Sequence, residues 1–559
     1  MTVFMRRTLL AAMMAAALAG CSSNEAPTDP LAYIPADSPY VMANHTPTPK
    51  AVVQAWLAMY GVNMEEIYAD MAKDPELKSI EGEFGEWVRA ALPEFGKMTS
   101  VSGIEELGLK AEGRFAVYGF GLMPVYRMEL SDPKNLDATV ARIEERAGKK
   151  LAKRKLGDTE LWQFANDKAV VLFGAVGNFL VVTLAPAKAD DVRLSAQVGL
   201  TLPEASMANG GIFAEIDQKY GYDGHFSGYI DIRGLAQRLS GRNQDDNQVI
   251  TAFGGEVPKL SDACAGELDV MTQKFPRMVF GSTRFDEKQM NISSLIEVEA
   301  ELAKSMQKLA APIPGAGSDE TMMLRFAASV DLPETVRFLN GIADSIAAKP
   351  YQCEELVDLN TSAAEMKQNL ANPGMAMAGA VSALHFGLKS FKMEAGSEMP
   401  SAVSAFVTLG SSSPLMLWGL AQQGVPALAQ IQLAADGKIV ALPADALPMP
   451  IPLEFKAVMT DKSIGVATKD IDDASFTAAA TVPAAADGTI LRYGFSGDFF
   501  KLIAEQVPAP TPEMDEKAAK DAERGRKIIQ GMGEKIDHMD VRAQLTARGI
   551  EFVQTNSLK

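Results

Sequence analysis

Apolar and polar positions alternate from Arg114 onward. RFAVYGFG (114–121) reads as a strand, Leu122-Met123-Pro124 as a break, and VYRMEL (125–130) as a second strand. Asp132-Pro133 then predicts a helix start, because aspartate caps the first free amides and proline loses nothing at the first helical position. The helix DATVARIEERAG runs to Gly148, a residue suited to the left-handed turn that closes a helix. KRKLG, TELWQFA, AVVLFGAVG and NFLVVTLA follow as short strands, with Gly157-Asp158 and Asn166-Asp167 as turn signals, and KADDVRLSAQVG as a helix. Strands joined by tight turns, with helices interposed, predict an α+β fold of antiparallel-sheet modules rather than a doubly wound α/β fold.

One local phrase recurs: an apolar strand, a polar or proline break, then an amphipathic helix. It occupies 39–61, 125–143, 226–241, 324–346 and 490–507, and suggests strand–helix–hairpin units that are diverged internal repeats. Their spacing is too long and irregular for a short-repeat solenoid. Breaker-rich stretches at 201–212, 311–320, 441–452 and 507–513 suggest the boundaries. The expected organisation is modules at 39–205, 206–315, 316–445 and 446–559. The last contains a charged helix at 515–535 and a hairpin turning at Arg548-Gly549.

The length of 559 residues supports several modules, since single cores stop growing at roughly 250–300 residues. A formal charge of −18 argues against nucleic acid as a partner. The mean hydropathy of +0.00 and the absence of repeated long apolar runs argue against a polytopic membrane protein.

The N-terminus departs from this average. Arg6 and Arg7 precede an apolar run, Thr8 to Ala19, of about a dozen residues, shorter than the roughly 20 needed to span a bilayer. It reads as a signal peptide, residues 1–20. Leu18-Ala19-Gly20-Cys21 resembles the lipobox of bacterial lipoproteins. That resemblance implies lipid attachment to the Cys21 thiol, cleavage before Cys21, and N-acylation of the new terminus. Ser22, rather than aspartate, at the next position resembles the outer-membrane default of enteric-type sorting. After Cys21 comes SSNEAPTDP, a polar, proline-containing stretch that suits residues 21–38 to a lipid-anchored tether. Loss of Arg6 and Arg7 makes the mature chain more negative by two, so the lipid rather than a basic patch must anchor it. Farther along, GRFAVYGFGLMPVYRMELSDP and CAGELDVMTQKFPRMVFG are similar to segments of large Gram-negative envelope lipoproteins of unknown function, a resemblance that implies no mechanism.

With Cys21 assigned to lipid, Cys264 and Cys353 remain in an oxidising compartment. Both stand in helix-like polar contexts. They form either one disulfide or two buried free thiols, and we expect the disulfide.

Motifs for chemistry are sparse. His45, His225, His385 and His538 have no metal-ligand spacing, and no metal or cofactor is expected. There is no G-x-S-x-G elbow and no complete phosphate or dinucleotide loop. Ser305-Met306-Gln307-Lys308 matches S-x-x-K but lies in an amphipathic helical run with no K-T-G elsewhere. The acidic stretches 242–247 and 469–473 lack the calcium-loop frame and read as turns or caps. Asp223-Gly224-His225, beside Tyr220 and Tyr222, reads as a β-turn. The chain has 29 methionines, which serve as core filler or as an adaptable apolar groove.

The expected function is therefore not enzymatic. The sequence points to an outer-membrane lipoprotein facing the periplasm, acting as a binding or scaffold module. Its partners would be the membrane, through Cys21, and an envelope protein or apolar ligand. Handling of lipid or outer-membrane clients is one alternative, and an envelope hydrolase is another. The non-enzymatic reading expects the four histidines not to share a pocket. It also expects Ser305 and Lys308 on a helix with no second lysine or oxyanion donor facing them.

Overall fold

A computed structural model describes residues 26–60, 68, 71–72, 82–316, 322–372, 379–393, 400–443, 453–507 and 514–559. The signal peptide and Cys21 lie outside the described residues. The local predictions around Asp132 are met in detail. Its carboxylate accepts from the Lys134 amide at 2.9 Å, Pro133 opens helix Pro133–Ala147, and Gly148 closes it at φ 69°.

The fold is α+β. Among the described residues nineteen strands join one antiparallel sheet. The first half supplies β1 (Tyr40–Ala43), β2 (Phe115–Phe120), β3 (Met123–Glu129), β4 (Ala152–Leu156), β5 (Thr159–Ala165), β6 (Ala169–Val176), β7 (Phe179–Pro186), β8 (Ser227–Asp231), β9 (Arg277–Phe285) and β10 (Gln289–Glu297). The second supplies β11 (Leu324–Ser329), β12 (Val381–Met393), β13 (Pro400–Ser411), β14 (Val440–Ala441), β15 (Phe455–Met459), β16 (Ser463–Thr468), β17 (Thr489–Ser496), β18 (Ile536–Thr546) and β19 (Gly549–Leu558).

In space the first half runs β4-β5-β6-β7-β3-β2-β1-β8-β9-β10. The second continues β19-β18-β17-β11-β12-β13-β16-β15-β14. Apart from the extra strand β4, the two halves are threaded in the same order. Each has a first strand, a helical excursion, a hairpin, a helix, a meander, a second helix, a single strand, further helices and a closing hairpin. The closing hairpins meet, with β10 and β19 paired from Gln289↔Ser557 to Glu297↔Gly549. The recurrent phrases at 39–61 and 324–346 occupy corresponding places, β1 and β11 with their following helices. Those at 226–241 and 490–507 do likewise at β8 and β17.

Period-two burial explains the first core. Leu172, Thr183, Val125, Tyr118, Val41, Tyr229, Val279 and Leu295 form one buried row across eight strands. Leu194, Val198 and Ile216 from two helices pack on the same core. At the junction the row meets Glu551 opposite Leu295, and its polarity changes. In the second half Phe406, Val458 and Phe476 pack one face, and Trp418, Met459 and Ile464 the other.

One charge lies inside the first core. Arg127 is fully buried, donates to the Val198 carbonyl at 2.8 Å, and lies 3.8 Å from the centre of the Tyr33 ring. Among the described residues no carboxylate pairs with it.

Candidate binding cleft

A cleft opens where the two halves meet, beyond the ends of β10 and β11. Its walls are three short helices. Asp262–Lys274 starts at Ser261, whose hydroxyl accepts from the Cys264 amide at 3.1 Å. Ala300–Gln307 is capped by the Glu299 carboxylate, which accepts from the Glu301 and Leu302 amides. Leu332–Ala348 is capped by Asp331 through the Glu334 amide at 2.9 Å. Its apolar residues recur at helical spacing, yet only Ala343 among its 17 residues is buried.

The Cys264–Cys353 disulfide fixes the far wall, with Cα atoms 4.4 Å apart. Cys264 stands on its helix as expected; Cys353 stands in a bend ahead of helix Asp358–Leu370 rather than in a helix. Glu267 reinforces the link by accepting from the Gln352 and Cys353 amides at 2.9 and 3.0 Å. Glu355 Oε2 lies 3.0 and 2.9 Å from the two sulfurs. These three side chains form the one group among the described residues gathered closely enough to hold a metal ion. The sulfurs are bonded to each other, so they offer no thiolate.

The cleft encloses about 920 Å³. Val270, Leu302, Phe338, Ile342 and Ile346 give it an apolar floor. Lys274, Lys308 and Lys349 stand on its rim. Ser305 also lines it, so the S-x-x-K pair does face a cavity. The expectation that no second lysine faces this pair is corrected, since helices distant in sequence bring Lys274 and Lys349 to the same cleft. The Ser305 hydroxyl donates to the Glu301 carbonyl at 2.9 Å, the ordinary back-bond of a helical serine, and not to a base.

The histidines lie elsewhere. His45 Nε2 is 2.6 Å from Asp217 Oδ2, and that hydrogen bond holds the imidazole pKa above its usual range. The His45 and Thr46 amides donate to the Gly224 carbonyl, which brings the Asp223-Gly224-His225 turn beside His45. Gly224 has φ 78°, and a Cβ there would sit 2.7 Å from the His45 ring. The His225 ring packs edge-on to Phe285. His385 is buried on β12, and burial, followed by the charge of Arg325, pushes its pKa down to about 4. His538 stands exposed beside Asp537.

The most displaced carboxyls belong to ion clusters outside the cleft. Burial alone would raise Glu297, but hydrogen bonds from Arg277, Lys219 and Tyr220 outweigh it and hold the group at about 2. Glu94 is held at about 2 against the same burial effect by Arg142 and Arg146. A second, polar groove of about 620 Å³ lies between helix Gln244–Ala252 and the ends of β6 and β7, lined by Lys168, Arg193 and Asn247.

The sequence showed the cleft's helices but not their convergence. The one available signal was the apolar stripe of 332–348, which reads equally well as core. Among the described residues no helix is long and apolar enough to cross a membrane. Comparison with protein-family models, curated proteins and solved structures gives no match.

Proposed function

We propose that this chain is a non-enzymatic, lipid-anchored envelope protein, held at the outer membrane through Cys21 and facing the periplasm. In this reading it is a binding or scaffold module whose ligand seat is the cleft between its halves. The observation that carries the proposal is the cleft itself, an apolar floor under a lysine rim, with its two serines, Ser305 and Ser345, each engaged by a carbonyl of its own helix. Chemistry at neutral pH needs an activated nucleophile, a metal or a matched acid and base. None of the four histidines lines the cleft or the polar groove. The same threading in both halves supports descent from a duplicated unit, with the seat formed where the copies meet.

A second reading, handling of hydrophobic cargo, is favoured by the apolar floor. Both readings are tested by assaying the purified lipoprotein against ester, peptide and glycan substrates beside Ser305→Ala and His45→Gln. The expected result is no turnover in any of the three. Turnover abolished by either substitution would overturn the binding reading.

A further inference from the structure

We propose that the cleft takes a single-chain anionic amphiphile, its alkyl chain along Val270, Phe338 and Ile342 and its acidic head among Lys274, Lys308 and Lys349. This rests on the cleft being the ligand seat and adds the chemistry of the ligand.

The floor comes first. A surface helix ordinarily turns its apolar stripe onto a core. Helix Leu332–Ala348 instead leaves Ile342 exposed at 37%, and across the cleft Val270 is exposed at 52%. Leu302 and Ile346 complete the strip. The volume, about 920 Å³, falls at the upper end of the range for small-molecule sites. The strip is supplied by three helices held in place by caps and by a disulfide, so little ordering is required on binding.

The rim selects the head group. In a chain of net charge −18, a local surplus of cations is unusual. None of Lys274, Lys308 or Lys349 has a carboxylate within 4 Å among the described residues. Of the three carboxylates of the lining, Asp262 pairs with Arg242 and Glu334 with Arg337, while Glu267 keeps its charge as it accepts from two backbone amides. That leaves three lysines against one carboxylate that no cation neutralises among the described residues. Three ammonium groups over an apolar strip therefore match a carboxylate or phosphate on an alkyl chain, and repel a cationic head of the same length. The open rim keeps the head hydrated while the chain is buried, which avoids the cost of desolvating the charge.

The test uses the full mature chain, residues 21–559, carrying Cys21→Ser so that its own acyl groups do not compete. Displacement of bound cis-parinarate is measured with dodecanoate, tetradecanoate and hexadecanoate, and with dodecyltrimethylammonium. Affinity for the carboxylates should rise about two- to fourfold per added methylene, and should fall with added salt. The cation should bind at least tenfold more weakly than dodecanoate. Ile342→Asp should weaken every carboxylate at least tenfold. The triple variant Lys274→Glu, Lys308→Glu, Lys349→Glu should reverse the preference for carboxylate over cation, a readout independent of overall stability. Equal binding of anion and cation by the unaltered rim, or full binding by Ile342→Asp, would overturn the proposal. If the carboxylates fail to bind but an acidic amphipathic peptide binds and is lost in Ile342→Asp, the ligand class is wrong and the seat survives. If neither binds, the amphiphile is overturned and the seat itself must be sought outside this cleft.

Discussion

Cys264 and Cys353, 89 residues apart in sequence, join a helix of the first half to a bend of the second, with Cα atoms 4.4 Å apart. The only other covalent connection between the halves is the chain running from β10 to β11. The disulfide therefore restrains the unfolded chain and also holds one wall of the cleft. Closing a loop of that length is worth roughly 4–5 kcal/mol in the chain-entropy model, of which bridges typically return about 2–4 kcal/mol. Cys264→Ser with Cys353→Ser should lower unfolding stability by about that amount, measured by urea denaturation. Reductant should reproduce the loss in the wild type and leave the double variant unchanged. Equal midpoints for the two proteins would remove the staple from the account.

Arg127 tests what a buried charge contributes without a carboxylate partner. Its guanidinium lies close enough to the Tyr33 ring to gain a cation–π contact, and it donates to the Val198 carbonyl. Lysine keeps the charge but loses the planar fork, so Arg127→Lys should destabilise by about 2–3 kcal/mol. Methionine removes the charge and keeps much of the volume, so Arg127→Met should cost less than Arg127→Lys. Thermal unfolding of the pair decides it, and the reverse order would mean that the charge itself is required.

His45 and His385 should give opposite pH dependences. The pKa of His45 is raised in the fold by its bond to Asp217. Its contribution is complete below the unfolded value and is lost as pH rises through the folded one. His385 is lowered to about 4, so the unfolded chain takes up its proton first as pH falls from about 6.5. Stability should then drop by ~3 kcal/mol on reaching pH 4. Urea unfolding between pH 4 and 8 should show His45→Gln losing the alkaline slope and His385→Gln losing part of the acid one. Unchanged slopes in both variants would contradict these assignments.

The anchoring proposal is checked at the N-terminus. Cys21→Ala should leave an unlipidated chain that no longer sediments with membranes. Mass spectrometry of the wild type should find an acylated N-terminal cysteine, and an unmodified mature terminus would refute the anchor.

Local grammar was the legible part of the fold. Asp132, Pro133 and Gly148 mark one helix because caps and φ preferences act within a few residues. The hairpin at Arg548-Gly549 was readable for the same reason. The order of the sheet was not, because pairings such as β1 with β8 and β10 with β19 join residues far apart in the chain. The recurrent phrase at β3 and helix Pro133–Ala147 has its counterpart at β13 and helix Pro414–Gly424. That counterpart is not legible in the sequence, because PLMLWGLAQQG is nearly apolar and lacks the amphipathic stripe. Residues 39–205 and 206–315 supply neighbouring strands, as do 316–445 and 446–559, pairings that no local signal announces. The cleft escaped sequence reading because Val270, Leu302 and Ile342 belong to three helices, each plausible alone as a core helix.

The most direct test of the cleft as ligand seat is a photocrosslinking map in intact cells. A photoreactive residue is placed at Ile342 and Phe338 in the cleft, and at two exposed apolar positions elsewhere, Val192 and Phe326. The account predicts a discrete adduct at both cleft positions, reduced when Lys274, Lys308 and Lys349 are reversed to glutamate, and none at Val192 or Phe326. Adducts confined to Val192 or Phe326, or cleft adducts indifferent to the reversed rim, would contradict it.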